Sequence, residues 1–374
     1  MTPAPRTSDT FYAYQWAILC IALLTLGGVV ASTLFHEHQQ IRAQESERLA
    51  IQAEIIEKNL VPQLRLANRI IEGILRNLPA WRAEQDGFKR ANRELQVIND
   101  NVIGIRPILI IQADGTVIAS SNQTLVGMNF SEREYFKTAA QDPDPRIFHV
   151  SSPFRTVLDT FVISLFRTIQ GPHGEFDGIV IVSAIPEYFA TLLDSVRYTP
   201  DMWTSIAHGD GKLFLRSPDG PGFAGMDLAK PGTYFTRHLA SGRSANVFEG
   251  TSTLTGERRL LALRTIQLTT PPMDKPLVVA VTRDLLALFA PWRRSLYMQA
   301  ALFGLISIFS PLVLLIVQRW RRDQSIARRK AEDTINELGF LQRGRTEALL
   351  ELPRASEALD EVSFLAYPPF THTY

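Results

Sequence analysis

Two uncharged apolar runs constrain this chain more than any other feature: Trp16 to Phe35, WAILCIALLTLGGVVASTLF, and Leu296 to Val317, LYMQAALFGLISIFSPLVLLIV. A helix that crosses a bilayer needs roughly 20 consecutive apolar residues, because every backbone amide must find its partner inside the hydrocarbon. Both runs are long enough. The first exceeds the usual core of a cleaved signal peptide, about 7–15 residues, and only Arg6 stands before it as a base. The second is followed by QRWRRDQSIARRK, with Arg319, Arg321, Arg322, Arg328, Arg329 and Lys330 in one short segment. Such a cluster stays in the cytoplasm, which argues for a span and against a buried core helix. Two spans then place residues 1–15 and 318–374 in the cytoplasm and residues 36–294 on the far side of the membrane.

With 374 residues there is room for about two to three domains. Lys and Arg number 39 against 38 Asp and Glu, a balance that argues against a general nucleic-acid binder. Cys20, the single cysteine, lies inside the first apolar run, so the external region has neither a disulfide nor thiol chemistry.

After the first run, Leu49, Ile56, Leu60, Leu64, Ala67, Ile71, Leu75 and Leu78 form one apolar stripe at helical spacing. A long stalk helix is expected, kinked or joined at Pro62 and broken at Pro79, with a second helix near 86–100. From Arg106 the pattern becomes that of strands. PILIIQADGTVIASS reads as a hairpin turning at Asp114-Gly115, and FVISLFRTIQGPHGEFDGIVIVSA as two longer strands around a Gly/Pro turn. These motifs recur. ADGTVIASS at 113 is echoed by GDGKLFLRS at 209, VGMNF at 126 by AGMDL at 224, Tyr135-Phe136 by Tyr234-Phe235, and RTIQ at 167 by RTIQ at 264. Four matches in one order at nearly one spacing imply two copies of an α/β module. The copies differ where the first has FSEREYF and the second LAKPGTYF, so the arginine and both acids belong to copy one alone.

Catalytic material is sparse. The seven histidines show no HExxH pair or Cys/His ligand spacing, and GxSxG, P-loop and Rossmann patterns are missing, so neither enzyme chemistry nor a cofactor is expected. Binding material is better. Ser131 and Glu134 read as a capping box opening a helix. Arg133, Tyr135 and Phe136 in that turn are expected to face strands carrying His149, Ser151, Arg155, Arg167 and Ser183. Arginine offers a bidentate fork to a carboxylate, tyrosine a hydroxyl, and phenylalanine an apolar wall. For Arg133 a surface charge stays open as the alternative, and for Arg167 a scaffold role shared with its repeat partner Arg264.

The order of long helix, IQADGTVIASS, GMNFSEREYFKTA, FHVSSPFR, VISLFRTIQGPHGEFDGIVIVSAI and PLVVAVTRDLLALFAPWRR before a span resembles the double Cache (tandem PAS-like) sensor domain. It is most similar to the version found in bacterial diguanylate cyclases and sensor histidine kinases. The resemblance covers residues 36–294 and implies an α+β fold: a long N-terminal stalk helix with two tandem antiparallel-sheet modules, a distal one at about 100–195 and a proximal one at about 200–290, flanked by transmembrane helices at 16–35 and 296–317. It implies a periplasmic location on the inner membrane and a small ligand, an amino acid or carboxylate, held in the distal module by Arg133, Tyr135, Phe136, His149, Ser151 and Arg167. A homodimer and a cytoplasmic output partner are implied with it.

The segment ALLELPRASEALDEVSFL is similar to the opening helix of a cytoplasmic GAF or PAS module, and Ile326, Ile335, Leu338, Leu341, Leu349 and Leu350 hint at a helical seam. With no cyclase or kinase motif behind them, a truncated output is expected. Three readings stay open: a non-enzymatic receptor, the front fragment of a cyclase or kinase, and a membrane-tethered structural module.

Overall fold

The apolar stripe is one face of a very long helix. In the computed structural model, which describes residues 7–157, 161–220, 222–252 and 255–363, helix α1 runs from Thr7 to Ala83 without interruption. Pro62 and Pro79 both lie inside it, so neither the expected join nor the expected break occurs there. A proline costs a helix interior about 3 kcal/mol. Leu60, Leu64, Leu78 and Trp81 flank the two prolines and are all buried, and each fully buried apolar side chain returns about 1.5–3 kcal/mol. Burial therefore outweighs the local defect. The chain turns only after Ala83, and α2 (Gly87–Asn101) packs back so tightly that a Cβ on Gly87 would lie 1.9 Å from the Trp81 carbonyl oxygen.

The protein forms two units, Phe35–Arg294 and Met1–Leu34 with Ser295–Tyr374. Within Phe35–Arg294 two antiparallel sheets pack on the α1 stripe. The first contains β1 (Ile105–Gln112), β2 (Val117–Ser120), β3 (His149–Val150), β4 (Phe154–Arg155), β5 (Phe161–Gln170) and β6 (Phe176–Ala184), in the order β2-β1-β6-β5-β3 with β4 also on β5. Helix α3 (Glu134–Gln141) covers its outer face, and α4 (Pro186–Ser195) leads to the second sheet. There β7 (Trp203–His208), β8 (Leu213–Ser217), β9 (Ala245–Thr251), β10 (Arg258–Ile266) and β11 (Leu277–Asp284) run in the order β8-β7-β11-β10-β9, with α5 (Tyr234–Ala240) in the place of α3.

The strand order is the same in both sheets, as the internal repeat requires. Register agrees too: Arg167 stands opposite Val180 in one sheet and Arg264 opposite Val279 in the other. Each arginine reaches α1, Arg167 bonding Glu72 at 2.8 Å and Arg264 bonding Glu57. Those acids are fifteen positions apart on one helix, about 22 Å at 1.5 Å per residue, so the stalk measures the offset between the modules.

Helices α6 (Leu285–Leu288) and α7 (Ala290–Ser363) complete the described residues. In the smaller unit, Gly27 lets α1 and α7 approach, since a Cβ there would stand 3.1 Å from the Phe303 ring. Gln318 Nε2 donates to Gln15 Oε1 at 3.0 Å, and the Arg322 guanidinium lies over the Tyr12 ring. Ile18, Leu24, Val29, Leu302, Ile308, Phe309 and Val313 point outward and are exposed. By length and composition both helices could cross a bilayer. Of the expected seam, Ile326, Ile335, Leu338 and Leu341 are each more than half exposed. The side chains of Leu349 and Leu350, and the AYPPFTHTY tail, lie outside the described residues.

Candidate functional site

Period-two alternation decides which side of the first sheet each residue serves. Along β5, Ile163, Leu165 and Ile169 join the core against α1, whereas Phe166 joins the core under α3. Val162 and Ser164 share the face of Phe166, and together with β1, β6 and the chain leading into α3 they enclose a cavity of about 460 Å³. Its walls are Leu109, Leu125, Phe130, Phe154, Val162 and Ile181. Its polar groups are Arg133, Tyr135, Ser164, Ser183, Asn99, Asn122, Arg106 and Glu187.

Arg133 is held at this cavity rather than free in solvent. Its Nη1 donates to the Arg155 carbonyl at 3.2 Å, and its guanidinium lies 5.6 Å from the Phe154 ring centre and 5.9 Å from that of Phe130. One carbonyl bond leaves other guanidinium donors for a ligand. Burial pushes the Tyr135 hydroxyl up to about 12, the Arg133 charge opposing this only partly, so the phenol stays a neutral donor at physiological pH. Ser164 and Ser183 share a hydrogen bond at 3.0 Å between their hydroxyls on adjacent strands. The site thus offers two cations, Arg133 and Arg106, and neutral donors on apolar walls, with the Glu187 carboxylate among its lining groups.

Of the six residues expected to bind ligand, Arg133 and Tyr135 line the cavity and four do not. Phe136 turns into the core under α3, edge-on to Phe176 with ring centres 5.6 Å apart. Arg167 lies on the other face of β5, where it bonds Glu72, Asn68 and the Pro145 carbonyl. A single step along a strand reverses the face, so sharing a strand with Ser164 does not bring Arg167 to the cavity. His149 stacks on Phe166 at 4.9 Å, and its Nδ1 lies 3.0 Å from Asp274 Oδ2 at the seam with the second sheet. Ser151 accepts the Ser164 backbone N–H at 2.8 Å and lines an adjoining cleft of about 320 Å³ at that seam, which Arg133 and Tyr135 also line.

The expected capping box also fails to form. Asn129 takes both the Ser131 backbone N–H and the Ser131 hydroxyl, at 3.0 and 2.6 Å, and α3 starts only at Glu134 with Arg133 as its N-cap and no side-chain cap bond. Ser164 escaped the sequence reading although a signal was present, a lone hydroxyl within the otherwise apolar FVISLF. Arg106, Asn99 and Glu187 could not have been found, because each comes from a different element.

Asp274 ties the modules together. Besides the His149 ring it accepts the Val150 backbone N–H at 2.9 Å, while His208 Nε2 donates to the Val150 carbonyl at 3.0 Å. A backbone bond from Phe148 N–H to the Pro272 carbonyl at 2.9 Å adds to the seam. Strand β3 is therefore bonded to the first sheet through β5 and to the second through Asp274 and His208.

No protein-family model matches the chain, and no curated protein matches it at a significant level. Solved structures do. The extracellular domain of an assigned histidine kinase, rpHK1S-Z16, is 21% identical with a TM-score of 0.54, over 65% of this chain and 95% of that one. The periplasmic sensory domain of the Campylobacter jejuni chemoreceptor Tlp1 is 11% identical with a TM-score of 0.54, over 67% and 99%. A second assigned histidine kinase, mmHK1S-Z3, contributes an extracellular domain at 13% identity and a TM-score of 0.51, over 67% and 97%. At such identities the likeness is one of fold. That fold, a long helix carrying two tandem antiparallel sheets, is the one the motif order implied.

Proposed function

We propose that the protein is a membrane receptor that senses a small solute outside the cytoplasm, through the cavity of its first sheet, and carries the signal across the bilayer. The observation that supports this best is the cavity itself: about 460 Å³, apolar-walled, with Arg133 at its edge and the Tyr135 and Ser164 hydroxyls within. That volume falls in the usual range for small-molecule sites, roughly 300–1,000 Å³. The ligand class is an amino acid or a related carboxylate. Arg133 and Arg106 suit a carboxylate, Glu187 suits an ammonium, and the phenylalanine and leucine walls suit an apolar side chain.

The two apolar helical segments are the membrane anchor. Their exposed Ile, Leu, Val and Phe faces would be an aggregation hazard in water. The arginine-rich continuation of α7 is cytoplasmic, and region 35–294 is periplasmic on the bacterial inner membrane. The chain acts as a homodimer with a cytoplasmic output partner, and its own role is non-enzymatic. Ligand binding acts only to the extent that it favours one of two arrangements of the stalk and α7.

The test is a thermal-shift screen of the full chain in detergent micelles against amino acids and organic acids, repeated with Arg133→Ala. A saturable shift with one ligand, lost in the variant without a change in its unliganded melting temperature, supports the reading. The absence of any saturable ligand, or an equal shift in the variant, overturns it.

A further inference from the structure

The second sheet encloses a cavity of its own, about 130 Å³, in the position that corresponds to the larger one. Register makes the correspondence explicit. Ser205 faces Arg216 across β7 and β8 as Leu109 faces Ser120 across β1 and β2, and Leu109 and Ser205 each line the cavity of their own sheet. Tyr234 repeats Tyr135, and Thr282 follows Val279 by the interval at which Ser183 follows Val180. The site is equivalent in the fold but furnished differently, since both its arginines stand on strands at other positions than Arg106 and none comes from the turn before the helix as Arg133 does.

Two arginines line it and they are not alike. Arg259 is fully engaged: it bonds Glu257 at 2.9 Å, and its Nη1 reaches the Asp201 carbonyl and Thr282 Oγ1, each at 3.2 Å. Arg216 has no such set. Its Nε and Nη1 are buried without a hydrogen-bond acceptor among the described residues. Both guanidinium groups stack on Trp203, Arg259 at 3.4 Å and Arg216 at 3.8 Å from the ring centre, and Arg216 also lies 3.8 Å from that of Phe223, so what sets Arg216 apart is its lack of acceptors. Burial and the neighbouring Arg259 charge both lower its basicity, while Glu257 and Asp219 act on it only through space. Arginine stays protonated under all ordinary conditions, so a cation with two orphaned donors sits at the wall of an aromatic cavity, an arrangement costly until an acceptor arrives.

We infer that this second cavity is an independent binding site for a small monocarboxylate, with Arg216 as its anion anchor and the Leu213, Leu261 and Val278 side chains of its lining against the apolar tail. Room for roughly four water molecules limits the ligand to a few carbon atoms, well below what the first cavity admits. The inference does not rest on the first site being occupied.

The test uses the full chain in detergent micelles, labelled with 5-fluorotryptophan, with the Trp203 resonance assigned by Trp203→Phe and followed by 19F NMR during a titration with sodium propionate. Saturable movement of that resonance is expected, equally in the Arg133→Ala protein, with inorganic phosphate and n-propanol both much weaker. Arg216→Lys keeps a stacked cation but loses the planar fork, and raises the propionate midpoint at least tenfold, about 1.4 kcal/mol. Arg216→Gln does the same where it retains the parent melting temperature. A Trp203 resonance unmoved by propionate, n-propanol acting as well as propionate, or an unchanged midpoint in Arg216→Lys each overturns the inference.

Discussion

Arg133 and Arg167 show how little residue type says about role. Both are arginines of the first module, yet one lines a cavity and the other pins the sheet to the stalk. Replacing Arg167 by Met leaves the Pro145 carbonyl and the Glu72 and Asn68 side chains without their partner. Unfolding by denaturant should show a loss of about 1–3 kcal/mol, with ligand affinity per folded molecule unchanged. Arg133→Ala should do the reverse, with stability within about 0.5 kcal/mol of the parent, as for surface sites. His238 carries a pH signature. Its Nδ1 faces Asn246 Oδ1 at 2.7 Å and its Nε2 faces Thr265 Oγ1 at 2.8 Å, and burial lowers its pKa below 6.5, with Asn246 opposing only in part. The unfolded chain therefore takes up this proton first. The stabilisation is complete above pH 6.5 and is lost as pH falls through that value towards the folded pKa. Melting curves across that window should drop less steeply for His238→Asn than for the parent.

At the scale of elements, the stalk was the most legible part. Its stripe Leu49, Ile56, Leu60, Leu64, Ala67, Ile71 and Leu78 is buried as the spacing demands, and only Leu75 is partly exposed. Ile71 sits fully buried beneath the modules. Ile71→Ala should cost about 2–5 kcal/mol through lost burial and a residual cavity, measurable as a lowered denaturation midpoint with an unchanged slope. The helix ends depart from local rules, because the fate of the residues there is tertiary. Pro79 did not end α1, since Leu78 and Trp81 are held by the core. Ser131 did not cap α3, since the helix begins only at Glu134 with Arg133 in the N-cap position. Hairpins fared better. Gly115 adopts the positive φ of 86° expected of its turn, and a side chain there would collide with Ser131 at 2.5 Å.

For the whole molecule, the proposed topology is open to direct measurement. Cys20 is the sole cysteine, so a Cys20→Ser background is free of thiols. In that background Asp100→Cys should react with a membrane-impermeant maleimide in spheroplasts, and Ser325→Cys should react only after the membrane is opened. Labelling of both in closed spheroplasts would contradict the arrangement. The same scale holds the link between the modules. Ser164 at the cavity bonds Ser151, the neighbouring Val150 bonds His208 and Asp274, and those two belong to the second module, His208 on β7 and Asp274 in the loop before β11. Asp274→Ala removes the acceptor for both His149 and Val150. It should lower stability by about 1–3 kcal/mol and weaken any dependence of the second sheet on ligand in the first, readable in the Trp203 fluorine signal.

Periodicity and repetition were properties of the sequence by itself. An apolar stripe at helical spacing, alternating strands, and two copies of one motif order determine a long helix bearing two equivalent sheets, because each depends only on which residues must leave water and at what interval. Which face a given side chain takes, and what it meets there, was decided by the tertiary structure. Arg167 went to the stalk, Phe136 to the core and His149 to the seam between the sheets, while Ser164 and Glu187 arrived at the cavity from separate elements. A binding site is an intersection of several elements in space, and the interval between residues along one chain does not contain it.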